Sequence, residues 1–299
     1  MTPSAQSIIS EKLSLSNTTH REYSDMTTAL DSRTAEVLSY IPYALSPAGS
    51  VSDLLASYKS AKPFPHHVFD NLFPDEVLDG LLAELPPLTS EKWVHERHEQ
   101  FVKSNLRSAV DLGDKSYQFV AMLHSAAFLY FLSEITGVKA LLGDPYLSGG
   151  GYHVVPEGGK FDVHADRNTD HNSGLHRRLA MLVYLNKGWK PEYGGQLELW
   201  NQDGTQCEKV VEPVFNRTVI FEIEDKNFHG VRPVVGGHGR SRKSFACYFH
   251  TVGKNLVFHN SIYAPKIFQE KKSLLKILAH EALPPFLFRA LKKATGRDY

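Results

Sequence analysis

Only two cysteines, Cys207 and Cys247, stand in the 299 residues of the chain. Two thiols cannot build a disulfide framework, so the fold must rest on its core, and the composition suits a reducing compartment. No apolar run approaches the ~20 residues that a membrane-spanning helix needs. The opening Met1-Thr2-Pro3-Ser4-Ala5-Gln6 has no basic segment leading into an apolar one. A secretory signal is therefore not expected, and the cytoplasm is the expected location. Excess charge is missing too: 33 Lys and Arg balance 33 Asp and Glu, with a pI near 7.3. Neither nucleic acid nor an anionic membrane is expected as a bulk partner. No internal repeat is evident.

What is present is globular. Hydrophobic residues at 42% and charged residues at 22% permit a sizeable core. The length suggests one main domain with extensions at both ends. Residues 1–60 are rich in Ser, Thr and Ala and read as a partly ordered, loosely packed extension, with helical stretches near 34–40 and 52–60. The prolines of Lys62-Pro63-Phe64-Pro65 disfavour helix and open the main domain, expected to span 61–255. A short strand is expected at 67–69 and an amphipathic helix over 74–85, closed by Pro86-Pro87. Residues 88–112 give no firm assignment. A single long helix is expected over 114–136, with its aromatics in the core and Gly137 as its stop.

From about residue 146 the pattern changes to short β runs separated by Gly, Asn and Pro. Strands are expected near 151–155, 160–165, 178–186, 196–200, 207–211, 218–222, 229–233 and 244–250. That series predicts a mainly β fold with flanking helices (α+β) around a double-stranded, jelly-roll core. After Gly253 the chain reads as a helical tail over 256–299, with helices near 274–283 and 286–293. Its Lys271, Lys272, Lys292 and Lys293 suit a solvated face, or alternatively a membrane surface.

Chemistry concentrates at His164-Ala165-Asp166. Residues two apart in a strand share a face, so the imidazole and the carboxylate lie side by side. Alone, the pair fits an ordinary surface contact, since the chain has 15 histidines. His229, in Asn227-Phe228-His229-Gly230-Val231, offers a third ligand, or else a hydrogen-bonded core histidine. Two histidines and a carboxylate with open positions opposite form the ligand set of non-haem Fe(II) oxygenases. Arg242 opens an otherwise apolar strand, where an unpaired charge is very costly. A bound dicarboxylate would satisfy it bidentately, with Tyr184 as a second donor. A structural Asp or Glu partner for Arg242, and simple packing for Tyr184, remain the alternative.

Several further short motifs stand in a fixed order. They run Gly149-Gly150-Gly151-Tyr152-His153, Gly158-Gly159-Lys160-Phe161, His164-Ala165-Asp166, His176-Arg177-Arg178-Leu179 and Tyr184-Leu185-Asn186-Lys187-Gly188-Trp189. Then come Glu192-Tyr193-Gly194-Gly195-Gln196-Leu197-Glu198-Leu199-Trp200, Pro213-Val214-Phe215-Asn216-Arg217, Phe228-His229-Gly230 and Arg242-Lys243-Ser244. Over roughly 140–252 this series resembles the prolyl 4-hydroxylase-like branch of the Fe(II)/2-oxoglutarate dioxygenases. The resemblance implies iron on His164, Asp166 and His229, and the distal carboxylate of 2-oxoglutarate on Arg242 with a hydrogen bond from Tyr184. It further implies O2 as oxidant, release of succinate and CO2, and ascorbate as a reductant. Hydroxylation of an unactivated C–H bond is the first expectation, with desaturation or ring formation open on the same site. Asp166 argues against halogenation, which in this superfamily vacates the carboxylate position.

Three departures from the family pattern stand out. Arg167 replaces a common Phe, Val155 replaces a common Tyr, and the loop from His229 to Arg242 is long, making Arg240 a competitor of Arg242. The segment 167–178 carries Arg167, His171, His176, Arg177 and Arg178. It reads either as a lid in which Arg167 and Arg177 meet an anionic substrate group, or as solvated loop charges. A prolyl residue in a peptide, a free amino acid and a natural-product intermediate all remain open as substrates. Two rival classes use the same residues: a Zn-dependent hydrolase, and a sensor that binds metal or 2-oxoglutarate without turnover. Succinate release separates both from the oxygenase.

Overall fold

The computed structural model describes residues 51–107, 109–235, 239–253 and 261–263. The chain divides into two units, residues 1–264 and 265–299, and every described residue lies in the first. The helices expected near 34–40, 274–283 and 286–293, with the lysines of the last two, lie outside the described residues.

In chain order the elements begin with helix α1 (Val51–Ser60), strand β1 (His66–Asp70) and helix α2 (Asp75–Ala83). They continue with β2 (Val94–Arg97), β3 (Val102–Leu106), α3 (Asp114–Leu123) and α4 (Ala126–Thr136). The β-rich part holds β4 (Gly151–Pro156), β5 (Phe161–Ala165), β6 (His176–Tyr184), β7 (Leu197–Trp200) and β8 (Cys207–Val211). It ends with β9 (Arg217–Glu222), β10 (His229–Val231), β11 (Ser241–Thr251) and β12 (Ile262–Tyr263). These form two antiparallel sheets, one ordered β1-β9-β6-β11-β4-β3-β2 and the other β12-β5-β10-β7-β8.

Strand alternation sorts the seven-stranded sheet into two unlike faces. Leu179, Met181 and Val183 of β6 and Phe245, Cys247 and Phe249 of β11 join the helices in one apolar cluster with Phe119, Leu123, Phe128 and Phe131. The intervening Ala180, Leu182 and Tyr184, with Tyr248, belong to the cluster between the sheets. Each large side chain in the helix-facing layer contributes roughly 1.5–3 kcal/mol on burial, so the outer face supplies stability that a polar inner face could not.

Three expectations are corrected. The long helix over 114–136 is two helices bent by 52°. Ser125 leaves the helical conformation (ψ 150) and accepts the Phe128 N–H, capping α4 and re-aiming its apolar face. Gly137 does end α4, in the left-handed region at φ 78. Second, residues up to 60 are not uniformly loose, because α1 seats Tyr58 in the core at 1% exposure and against the His67 ring. Third, β12 adds a strand beyond residue 255; the unassigned 88–112 supplies β2 and β3, which extend the larger sheet. No single described helix is long and apolar enough to cross a membrane.

Asn216 ties the β8–β9 connection to the start of α2. It is buried and left-handed at φ 58. Its side-chain amide donates to the Phe73 carbonyl and to Asp75 Oδ1, each at 2.6 Å, and accepts from the Phe73 N–H at 3.3 Å. Asn216→Ala should lower unfolding stability by about 2–4 kcal/mol, from backbone strain and orphaned polar groups. Asn216→Gly should recover only the strain. Denaturant titration of the two variants checks this ordering.

Candidate metal centre and cosubstrate pocket

β10 pairs with β5 so that His229 stands directly opposite His164. Their rings lie side by side, with centroids 4.5 Å apart. Asp166 follows β5 on the same face, its carboxylate 3.4 Å from His164 Nε2 and 3.9 Å from His229 Nε2. The ligand atoms of the three residues all lie within 4.8 Å of one another. Backbone carbonyls set both rings: His164 Nδ1 donates to Asp162 O at 2.8 Å, and His229 Nδ1 to Asn227 O at 3.2 Å. Both Nε2 atoms are thereby turned toward Asp166. Burial, reinforced by His164, pushes His229 down to about 4, so it stands neutral near pH 7. Burial alone would raise the Asp166 carboxyl. The polar contact with His164 and the positive charge of Arg177 outweigh it and hold the carboxyl below its ordinary range.

Arg242 lies across the cavity, 3% exposed. Its Nε donates to Gly195 O at 2.9 Å, Nη1 to Ser244 Oγ at 3.4 Å and Nη2 to Tyr184 Oη at 3.2 Å. Gly195 permits this approach, since a Cβ there would lie 3.3 Å from Arg242 Cδ and its φ is 71. No carboxylate among the described residues pairs with Arg242. Tyr184 is fully buried, and burial raises its hydroxyl pKa. Because that oxygen accepts from Arg242, its proton is free for another acceptor. Arg240 is elsewhere, stacked 3.8 Å above the Tyr193 ring.

A family model described as the 2OG-Fe(II) oxygenase superfamily matches residues 150–250. This part of the chain is similar to that superfamily. Across 211 residues, 69% of the chain, it is 26% identical to prolyl 3-hydroxylase OGFOD1 of Mus musculus, covering 36% of that protein. Across 68 residues, 22% of the chain, it is 34% identical to prolyl hydroxylase EGLN3 of Mus musculus, covering 28% of it. The chain thus spans about a third of the length of the curated relatives it matches. A Pseudomonas putida prolyl-4-hydroxylase structure shares the fold, with TM-score 0.52 and 21% identity over 68% of this chain and all (100%) of that one.

The superfamily uses Fe(II), 2-oxoglutarate and O2, and the residues present fit both groups that must be held. Two imidazole nitrogens and an ionised carboxylate converge on one point, the donor set that suits non-haem Fe(II). A buried guanidinium with no acidic partner requires an anion.

Further residues complete the cavity of about 120 Å³. Arg177 lines it but is fixed, buried at 3% exposure, donating to Ser148 O, 3.8 Å from Asp170 and with its guanidinium 4.3 Å from the Tyr248 ring centre. Within 167–178, Asn168, Thr169 and Asp170 are buried, His171 to Gly174 are exposed and His176 opens β6. Arg167 is half-buried at the cavity wall. Val155 lines the wall opposite Arg242 in register.

Sequence reading missed Lys103, His153 and Tyr248. Tyr248 lay in the recognised strand, and its hydroxyl donates to Asp166 Oδ2 at 3.3 Å. Lys103 came from the unassigned region. Its ammonium lies 5.1 Å from the Phe161 ring, which in turn stacks on His164 at 4.0 Å.

His229→Ala or Asp166→Ala should abolish stoichiometric Fe(II) binding, followed by anaerobic calorimetry. Tyr248→Phe should retain binding but weaken it by roughly tenfold, as loss of an outer partner of a metal ligand does.

Proposed function

We propose that the chain is an Fe(II)/2-oxoglutarate-dependent hydroxylase acting on a prolyl residue of a peptide. The observation that carries the oxygenase reading is the acid-free Arg242, donating to the buried Tyr184 behind it, facing the His164, Asp166 and His229 cluster across one cavity. In this reading His164, Asp166 and His229 hold Fe(II), while Arg242 grips the distal carboxylate of 2-oxoglutarate and Tyr184 donates its free proton to it. Bound Fe(II) and 2-oxoglutarate supply the O2-dependent oxidation of a C–H bond, coupled to loss of CO2 and formation of succinate. The protein's part is orientation and exclusion of water. Tyr248 holds the Asp166 oxygen nearest it, and Ala180, Leu182, Leu197 and Phe221 give the cavity apolar walls.

A Zn-dependent hydrolase fits less well, because the sole carboxylate lining the cavity among the described residues is Asp166. No second acid is left to activate water. A non-catalytic sensor gains no support from a ligand set that is complete. The prolyl substrate rests on the names of the relatives matched above. A small-molecule substrate is the outcome that would replace it.

Anaerobic addition of Fe(II) and then 2-oxoglutarate should produce a weak visible charge-transfer band only with both present. Admitting O2 should release succinate. Arg242→Ala should keep the metal but raise the 2-oxoglutarate concentration for half-maximal band intensity at least about 30-fold, the 2 kcal/mol floor for truncating one partner of a buried charge pair. Tight Zn(II) retention with no band would sink the oxygenase assignment.

A further inference from the structure

Four cationic side chains line the cavity: Lys103, Arg167, Arg177 and Arg242. Two of them have acidic partners outside it, Lys103 with Glu96 at 3.7 Å and Arg177 with Asp170 at 3.8 Å. In the reading above, the charge of Fe(II) and Arg242 is balanced by Asp166 and the two carboxylates of 2-oxoglutarate. Arg167 is left over. It makes no hydrogen bond or ion pair with any described residue; Arg177 repels it, while Asp166 and Asp170 attract it without contact. Both acids are committed elsewhere, Asp166 to the metal cluster and Asp170 to Arg177, so no acid in contact with Arg167 offsets the cost of half-burying it.

Position separates this charge from the cosubstrate. Arg242 and Tyr248 occupy the same face of β11, both lining the cavity, six residues apart. At about 3.3 Å per residue they lie roughly 20 Å apart. Arg167 lines the cavity immediately after Asp166, toward the Tyr248 end and away from Arg242. The aspartate between them, Asp166, is hydrogen-bonded to Tyr248. The metal cluster therefore stands between a cosubstrate end and an end with an unmatched positive charge.

We propose that Arg167 recognises a carboxylate of the substrate, the side chain of an Asp or Glu flanking the oxidised proline. This rests on the peptidyl hydroxylase reading. A guanidinium meets a carboxylate bidentately, giving both charge neutralisation and direction, which would set the register of the peptide across the metal.

The test uses the full chain with Fe(II), 2-oxoglutarate and ascorbate, and a peptide library with a fixed central proline and randomised flanks. Hydroxylated products are sequenced by mass spectrometry. Products of the unaltered protein should favour Asp and Glu over Asn and Gln near the proline by roughly tenfold or more. Arg167→Gln should lose that preference, Arg167→Lys should keep part of it, and Arg167→Glu should shift it toward Lys and Arg. All three variants should still form the Fe(II)/2-oxoglutarate absorption band, which shows that the site is assembled. Preference retained in Arg167→Gln, or absent from the unaltered protein, overturns the proposal. Succinate release with the band present but no hydroxylated peptide overturns the peptidyl reading and this inference with it. Absence of the band overturns the oxygenase reading itself.

Discussion

The antiparallel register that sets His229 against His164 is the constraint on which the site depends. A slip of one residue would turn His229 to the opposite face and replace it with Gly230 or Phe228, neither of which can bind a metal. The register is fixed from both sides. β7 pairs with all three residues of β10, and β5 carries its own carbonyl-anchored histidine. Gly230 suits this crowded position, since a Cβ there would lie 3.2 Å from Phe161 O and from a Val163 methyl. The backbone approaches closely here because no side chain intervenes.

A polar inner face is tolerable only because the outer face is so thoroughly apolar. β11 shows both roles in one strand. Phe245, Cys247 and Phe249 seal against the helices, while Arg242, Ser244 and Tyr248 point into the cavity. Tyr152 joins the seal through an edge-to-face contact with Phe245, centroids 4.9 Å apart. Such a sheet holds charged groups at fixed spacing without depending on them for cohesion. A guanidinium can then sit among apolar neighbours as a binding element, poised by Gly195 O, Ser244 and Tyr184.

The sequence was legible wherever function and folding use the same pattern. The His164 and Asp166 pair follows from strand periodicity, and Arg242 was visible as a charge out of place in an apolar run. The β8 strand at Cys207–Val211 has the expected bounds, because its ends coincide with turn residues. β3 was not legible. Its buried residues include Ser104 and Asn105, made acceptable by His95 and Glu96 on the neighbouring strand, a pairing no periodicity reveals. The bend between α3 and α4 was hidden because apolar residues continue across it, and only Ser125 marks the cap. Arg177 looked like a loop charge, yet its partner Ser148 lies on a segment that only the fold brings near it.

The missed cavity residues divide by location: His153 and Tyr248 lie inside the stretch matched to the oxygenase superfamily, Lys103 outside it. His164, Asp166, Tyr184, His229 and Arg242 all fall within the stretch matched to the oxygenase superfamily, whereas Lys103 on β3 and Ser261 before β12 lie outside it and still line the cavity. The reason is mechanical. Ligand geometry needs strands held on both sides, as β10 is by β5 and β7. The rim of the cavity needs no such precision and can be built from strands near the sheet margins, such as β3 next to the terminal β2, and β12 at the end of the smaller sheet. Substitutions in a marginal strand alter the opening without disturbing the register of the metal ligands. Metal-ligand geometry and the remaining cavity wall thus fall to structurally separable parts of one fold, with Arg167 at their junction, immediately after Asp166.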